Sequence, residues 1–171
     1  MKLLIFADSH GRTGTMLSVA KNLAPDIAQI MHLGDNLADA ALLQQSFPGI
    51  PIHSVAGNCD FLSVNHPDAL LEIAGVRIFL THGHRFDVKG GLLRLSLAAR
   101  ERQADICLYG HTHIASITAA DGVMLMNPGS ISLPRGYERE SYGILTLEEN
   151  EPPHAAVVET YRGVCRIIHS I

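Results

Sequence analysis

Cysteine is scarce in this sequence: Cys59, Cys107 and Cys165 lie far apart along 171 positions. An odd, scattered set offers neither a disulfide framework nor a CxxC zinc or redox pair, and it suits a reducing, cytoplasmic setting. Long apolar runs are missing too. The amino terminus, MKLLIFADSH, reaches Asp8 after one short apolar run. That run is too short for the core of a secretion signal and far too short to span a membrane; it reads as a buried strand. Positive charge is neither in excess nor clustered. The formal net charge is −4 and Lys and Arg form no run, so neither stable nucleic-acid binding nor attachment to a membrane surface is expected. Internal repeats, low-complexity segments and linkers are absent. At 47% hydrophobic, residues 1–171 are expected to form a single domain able to bury a sizeable core.

What is present is a recurring short apolar run that ends in Gly, Asp or His. The runs at 2–8, 27–35, 50–58, 76–83 and 105–111 have the length and turn-residue boundaries of strands buried on both faces. Segments 13–23, 37–47 and 91–103 carry apolar residues at three- and four-residue spacing and predict amphipathic helices. Strand and helix therefore alternate. Beyond residue 113, turn signals separate shorter strands at 115–127, 141–149 and 154–161, with Asp121-Gly122 suited to a tight hairpin. This half predicts an antiparallel sheet, and Pro152-Pro153 interrupts two of its strands rather than dividing two domains.

Polar residues cluster where the predicted strands end. Asp8 and His10 follow the first, Asp35 follows Gly34, and Asn58, Cys59 and Asp60 follow Gly57. His82 and His84 flank Gly83, and His111 and His113 follow Gly110. Loops beyond the carboxyl ends of parallel strands converge on one crevice, so residues spread along most of the chain can meet there. Carboxylates combined with neutral imidazoles suit first-row divalent metals, whereas a Mg or Ca site would be nearly all oxygen. The set exceeds one ion's needs. Two ions sharing a carboxylate would use it all, and the neighbouring glycines let backbone approach a crowded cluster.

The ordered set Asp8-x-His10, Gly34-Asp35, Gly57-Asn58, His82 and Gly110-His111-x-His113 resembles the signature of calcineurin-like metallophosphoesterases. The forms GNCD, THGH and GHTH, followed by NPGS (127–130) and SLPRG (132–136), are most similar to the compact bacterial and archaeal phosphodiesterase branch. The resemblance implies an α/β fold, a four-layer αββα sandwich of two mixed β-sheets flanked by helices. It implies two divalent transition-metal ions, Mn2+ foremost, with Zn2+, Ni2+, Fe2+ or Co2+ as alternatives. Asp8, His10, Asp35 and His113 would hold one ion, Asp35, Asn58, His82 and His111 the other, with Asp35 bridging. It further implies a phosphodiesterase acting on small phosphodiesters or nucleotides, in which a hydroxide shared by both ions attacks in line without a covalent enzyme intermediate. In this family a histidine usually follows the metal-binding Asn and protonates the leaving oxygen or steadies the phosphate. Cys59 stands there instead, a weak hydrogen-bonding thiol, and His84 is the candidate substitute.

Other residues read blandly. His32 and His53 sit inside strand patterns as structural side chains, and nothing supports a ligand role for His66, His154 or His169. Cys107 is core, and Cys59 is balanced between a reactive position and a packed small residue. Asp60 reads as orienting its loop or capping a turn, and Asn127 and Gly129 as turn residues. Arg12 and Arg135 read as surface charge before phosphate contacts. Against the diesterase stand a metal-binding scaffold, as the same fold serves in the eukaryotic retromer coat, and a phosphomonoesterase. All seven ligand positions carry competent side chains, which favours catalysis. A homo-oligomer is open.

Overall fold

The computed structural model describes residues 1–60, 67–136 and 139–171, and His66 lies outside them. Two mixed sheets pack face to face. The first is built on β1 (Lys2–Phe6), which runs parallel to β2 (Gln29–His32), itself parallel to β3 (Ile52–Ser54). The second is built on β5 (Val76–Thr81), which runs parallel to β6 (Ile106–Leu108) and pairs antiparallel with β4 (Asp68–Ile73). The strands β7 (Ala115–Ala120) and β8 (Val123–Pro128) form the hairpin expected around Asp121-Gly122. The chain ends with β9 (Ser141–Thr146), β10 (His154–Tyr161) and β11 (Val164–Ser170). The spatial orders are β11-β10-β9-β1-β2-β3 and β4-β5-β6-β8-β7.

One expectation is overturned here. The strands beyond residue 113 do not form a sheet of their own: β8 joins the second sheet parallel to β6, while β9 to β11 extend the first sheet from β1. The reason lies in their faces. Met126 of β8 points into the layer between the sheets and Val123 and Leu125 point outward, so β8 needs apolar cover on both sides. Two strands, β4 and β11, had no counterpart among the expected elements.

Three apolar layers hold the sandwich together. Between the sheets, Leu3, Ile5, Met31, Leu33, Ile78, Leu80, Leu108 and Val157 interlock. Outside the first sheet, α1 (Gly14–Leu23) and α2 (Leu37–Ser46) lay Met16, Val19, Ala20 and Leu43 over Leu4, Phe6 and Ile30. Outside the second, α3 (Leu93–Glu101) lays Leu95 and Ala99 over Phe79, Cys107 and Leu125. Each fully buried Leu or Ile contributes about 1.5–3 kcal/mol. Because β1, β2 and β3 run parallel to one another, as do β5 and β6, their carboxyl ends bring the polar loops together.

His32, at the end of β2, is wholly buried, with Nε2 2.9 Å from the Ser9 hydroxyl. Burial pushes its pKa down to about 4. An unfolded chain takes up this proton near pH 6.5, the folded chain only near 4. Between those values the unfolded state binds more protons, so stability falls as pH falls, by about 3 kcal/mol in all for this residue. Urea unfolding of chelator-treated protein from pH 7 to pH 4.5 is expected to show that slope, reduced by about one proton in His32→Gln. An identical slope in the variant would count against it.

Candidate metal centre

The seven expected ligands meet at one end of the sandwich. Asp8 and His10 follow β1, Asp35 follows β2 and Asn58 follows β3; from the facing sheet come His82 after β5, and His111 and His113 after β6. Main-chain bonds stitch these exits together: Asp8 N–H donates to Gly34 O at 3.2 Å, His10 N–H to Asp35 O at 3.0 Å, and Gly110 N–H to His82 O at 3.1 Å. The His111 N–H donates to the Asp8 carboxylate at 3.1 Å across the two sheets. Asp8, His10, Asp35, His111 and His113 all have positive φ, between 48° and 70°. Non-glycine residues seldom adopt that region, and their concentration here stores strain that the surrounding fold must hold.

Two groups of ligand atoms result. Asp8, His10, Asp35 and His113 each offer one atom within 4.8 Å of the others. His10 Nε2 lies 3.5 Å from Asp35 Oδ2, and His113 Nε2 lies 3.4 Å from Asp8 Oδ1. In the second group His82 Nε2 lies 3.2 Å from Asn58 Oδ1, 3.2 Å from His111 Nδ1 and 3.4 Å from Asp35 Oδ1. The two oxygens of Asp35 thus face different groups.

The tautomers show what the arrangement wants. A carbonyl only accepts, so His82 Nδ1–H donates to Leu33 O at 2.7 Å and His113 Nδ1–H donates to Leu133 O at 2.6 Å. In the neutral rings both Nε2 atoms are then lone pairs. Burial drives His82 and His111 down to about 4 and lowers His113, so all three are neutral at pH 7. A neutral His82 aims its Nε2 lone pair at the oxygens of Asn58 and Asp35 beside His111 Nδ1, and His113 aims its own at Asp8 Oδ1 beside His10 Nε2 at 3.3 Å. Lone pairs of oxygens and ring nitrogens gathered in this way suit a cation, and second bonds such as those to Leu33 O and Leu133 O orient metal-binding imidazoles. Burial, reinforced by Asp35, holds the Asp8 carboxyl well above its usual pKa. Burial also opposes ionisation of Asp35, yet His82 and the Cys59 amide outweigh it and keep Asp35 below its usual value. The donor set fits divalent transition ions.

Supporting residues fix these loops. Asp60 accepts from Leu37 N–H at 2.8 Å and Gly57 N–H at 2.8 Å, tying the Asn58 loop to the start of α2. The Cys59 amide donates to Asp35 Oδ1 at 3.0 Å while its side chain is exposed, and burial together with Asp35 raises the thiol pKa. The His84 ring lies 5.4 Å from His82 and 6.0 Å from His111, beside the second group. His53 bonds Gln29 instead of entering the site.

Three residues take positioning roles that the sequence does not signal, among them Asn127, expected only as a turn residue. Asn127 Nδ2 donates to Gly110 O at 2.9 Å, and the hydroxyls of Ser130 and Ser132 donate to Asp8 O at 2.7 and 2.9 Å. The NPGS segment is therefore more than a turn, because it anchors the backbone of Asp8 and of the His111 loop.

Comparison with known proteins agrees with this geometry. A model of the calcineurin-like phosphoesterase superfamily domain matches residues 1–150. A probable metallophosphoesterase of Bacillus subtilis, YsnB, is 38% identical over 162 residues, covering 94% of this chain and 90% of its own length. The phosphodiesterase YfcE of Escherichia coli is 29% identical over 167 residues, covering 85% and 87%. A crystal structure of a Vps29 variant from Entamoeba histolytica shares the fold, with a TM-score of 0.82 at 19% identity over 100% of this chain and 98% of its own. The chain belongs to the calcineurin-like phosphoesterase superfamily.

Proposed function

We propose that the protein is a metal-dependent phosphodiesterase working with two divalent ions. Asp8, His10, Asp35 and His113 hold the first, and Asp35, Asn58, His82 and His111 the second. One observation carries this reading: Asp35 turns Oδ2 toward His10 at 3.5 Å and Oδ1 toward His82 at 3.4 Å, so a single carboxylate serves both groups. When bound, such ions neutralise phosphoryl charge and make water a nucleophile at neutral pH.

The chain's own residues do the rest. His82 and His113, locked through Nδ1, keep their lone pairs toward the ions, and the Cys59 amide steadies Asp35. The raised thiol of Cys59 stays protonated at neutral pH and is a weak donor, so departure of the leaving group depends on its own stability or on His84. The reading is supported by the name of the E. coli relative, a phosphodiesterase. Mn2+ is the foremost ion, with Zn2+, Ni2+, Fe2+ or Co2+ as alternatives, since mixed N/O ligation leaves availability to decide. We assign residues 1–171 to a single cytoplasmic domain acting on small phosphodiesters or nucleotides. Among the described residues no helix is long and apolar enough to cross a membrane.

The test is hydrolysis of bis-(p-nitrophenyl) phosphate by metal-stripped protein after adding back Mn2+, Zn2+, Ni2+ or Mg2+. Turnover is expected with a transition metal and little on the monoester; metal binding without turnover would favour a scaffold. A second expectation concerns Cys59. Without a good proton donor, kcat/KM should fall steeply as the leaving-group pKa rises from aryl to alkyl esters. Cys59→His should flatten that dependence and raise alkyl-ester hydrolysis by about 10²-fold, the usual scale of general-acid assistance. An unchanged dependence would show that protonation does not run through this position.

A further inference from the structure

Beside the metal centre lies a cleft of about 360 Å³ that the residues already described do not use. One wall is the segment leading into α3, with Val88, Lys89 and Leu92. The other is Thr112, Ile114 and Ser116 around the loop between β6 and β7, with Arg135 at the rim. Thr112 sits between His111 and His113, so the cleft adjoins the loop that carries these two ligands. Its size falls in the ~300–1,000 Å³ range of small-molecule sites.

Lys89 and Arg135 need an explanation. Both are exposed, and among the described residues neither side chain has a hydrogen-bond or ion-pair partner; Arg12, Lys21 and Arg94 are unpaired as well, but only Lys89 and Arg135 line this cleft. Both stand next to the ligand loop: they line the same cleft as Thr112, and the Arg135 main-chain N–H donates to His113 O at 3.2 Å. Cations beside a site built for metal ions repel those ions. Their placement makes sense when an anion passes between them and the metals, in the manner of charge-assisted phosphate contacts. The apolar part of the cleft is equally specific. Ile114 is 47% exposed directly after His113, and Val88, Leu92 and Tyr109 line the cleft with it, the Tyr109 hydroxyl tied to Ser116 at 2.9 Å. A volume of about 360 Å³ accommodates a single ring, and Thr112 and Ser116 add hydroxyl-bearing residues to the lining.

We infer that this cleft binds one arm of the diester substrate, and that its preferred occupant is a nucleoside carrying a further phosphate. The ring lies against Val88, Leu92 and Ile114, and the extra phosphate lies between Lys89 and Arg135. The inference rests on the diesterase reading and narrows its substrate class to nucleotides with more than one phosphate.

The experiment keeps p-nitrophenolate as leaving group and varies the other arm: ethyl, 5′-thymidyl, and 5′-thymidyl bearing a 3′-phosphate. With the metal-loaded protein, kcat/KM is expected to rise tenfold or more from ethyl to thymidyl and about fivefold again with the 3′-phosphate. Lys89→Ala and Arg135→Ala should each remove most of the second step through KM, and Leu92→Asp should remove the first. Arg94→Ala, on the exposed side of α3, should keep both ratios. Calorimetric binding of thymidine 3′,5′-bisphosphate, weakened about fivefold in each cation variant, gives a readout independent of turnover. Equal kcat/KM on ethyl and thymidyl esters would overturn the subsite while leaving the diesterase standing. Selectivity that survives Leu92→Asp and both cation variants would also overturn it. Failure to hydrolyse any of the three esters would overturn the diesterase reading, and the subsite with it.

Discussion

Asp35→Asn is expected to lower turnover of bis-(p-nitrophenyl) phosphate by about 10³-fold or more, equivalent to about 4 kcal/mol of transition-state stabilisation. The reason is that one carboxylate faces both ligand groups, so loss of its charge weakens both ions together. Asp8→Asn, by contrast, touches the first group directly and should leave the second ion in place. The fold should tolerate Asp35→Asn, because the amide oxygen in the Oδ1 place still accepts the Cys59 N–H, and the NH2 then takes the Oδ2 place beside His10 Nε2. Metal content by mass spectrometry and thermal melts separate these effects. With ion at about 100 times its Kd, wild-type protein should gain about 2.7 kcal/mol, a rise in Tm of roughly 5–10 °C for a chain of this size. The variant should start about as stable as the metal-free wild type and gain little. Two ions per chain retained in Asp35→Asn would sink the bridging role.

Much of this site was legible in the sequence because each ligand directly follows an apolar run, and a buried parallel strand delivers its next few residues to the sheet edge. Asp8, Asp35, Asn58, His82 and His111 all sit within a few residues of a strand end. The supporting contacts were not legible. Ser130 and Ser132 reach the Asp8 carbonyl from 122 and 124 positions away, and no local pattern signals a contact that the packing of two sheets creates. The division of the later strands between sheets escaped for the same reason: turn residues fix which neighbours form a hairpin, but not which sheet the hairpin joins. In hindsight β4 carried a local signal, since Ala69, Leu71 and Ile73 alternate into the core before a turn at Ala74 and Gly75, both with positive φ. Most of β11 is exposed, so its apolar residues showed no alternation to find.

The glycines explain how so many ligands fit, and Gly57→Ala tests that. A Cβ at Gly57 would lie 2.1 Å from Asp35 Oδ1 and 2.4 Å from the Asp35 main-chain nitrogen. The second contact is with backbone, so no side-chain rotation relieves it, and the Asn58 loop and the Asp35 turn must separate. Overpacking of this kind costs about 1–3 kcal/mol, a fall in Tm of several degrees that still leaves folded protein at 25 °C. Activity should suffer more than stability. Moving Asn58 away from His82, now 3.2 Å distant, opens the second group, and a misplacement of about 1 Å costs on the order of 10²-fold. Gly14→Ala is the matched control. It begins α1 with nothing within 4 Å of the added methyl, so it should keep full turnover and gain up to about 1 kcal/mol from the alanine's helix preference. Comparing kcat/KM with urea midpoints for both variants distinguishes lost geometry from lost folding. Wild-type turnover in Gly57→Ala would mean that the close approach of these two loops is not what assembles the site.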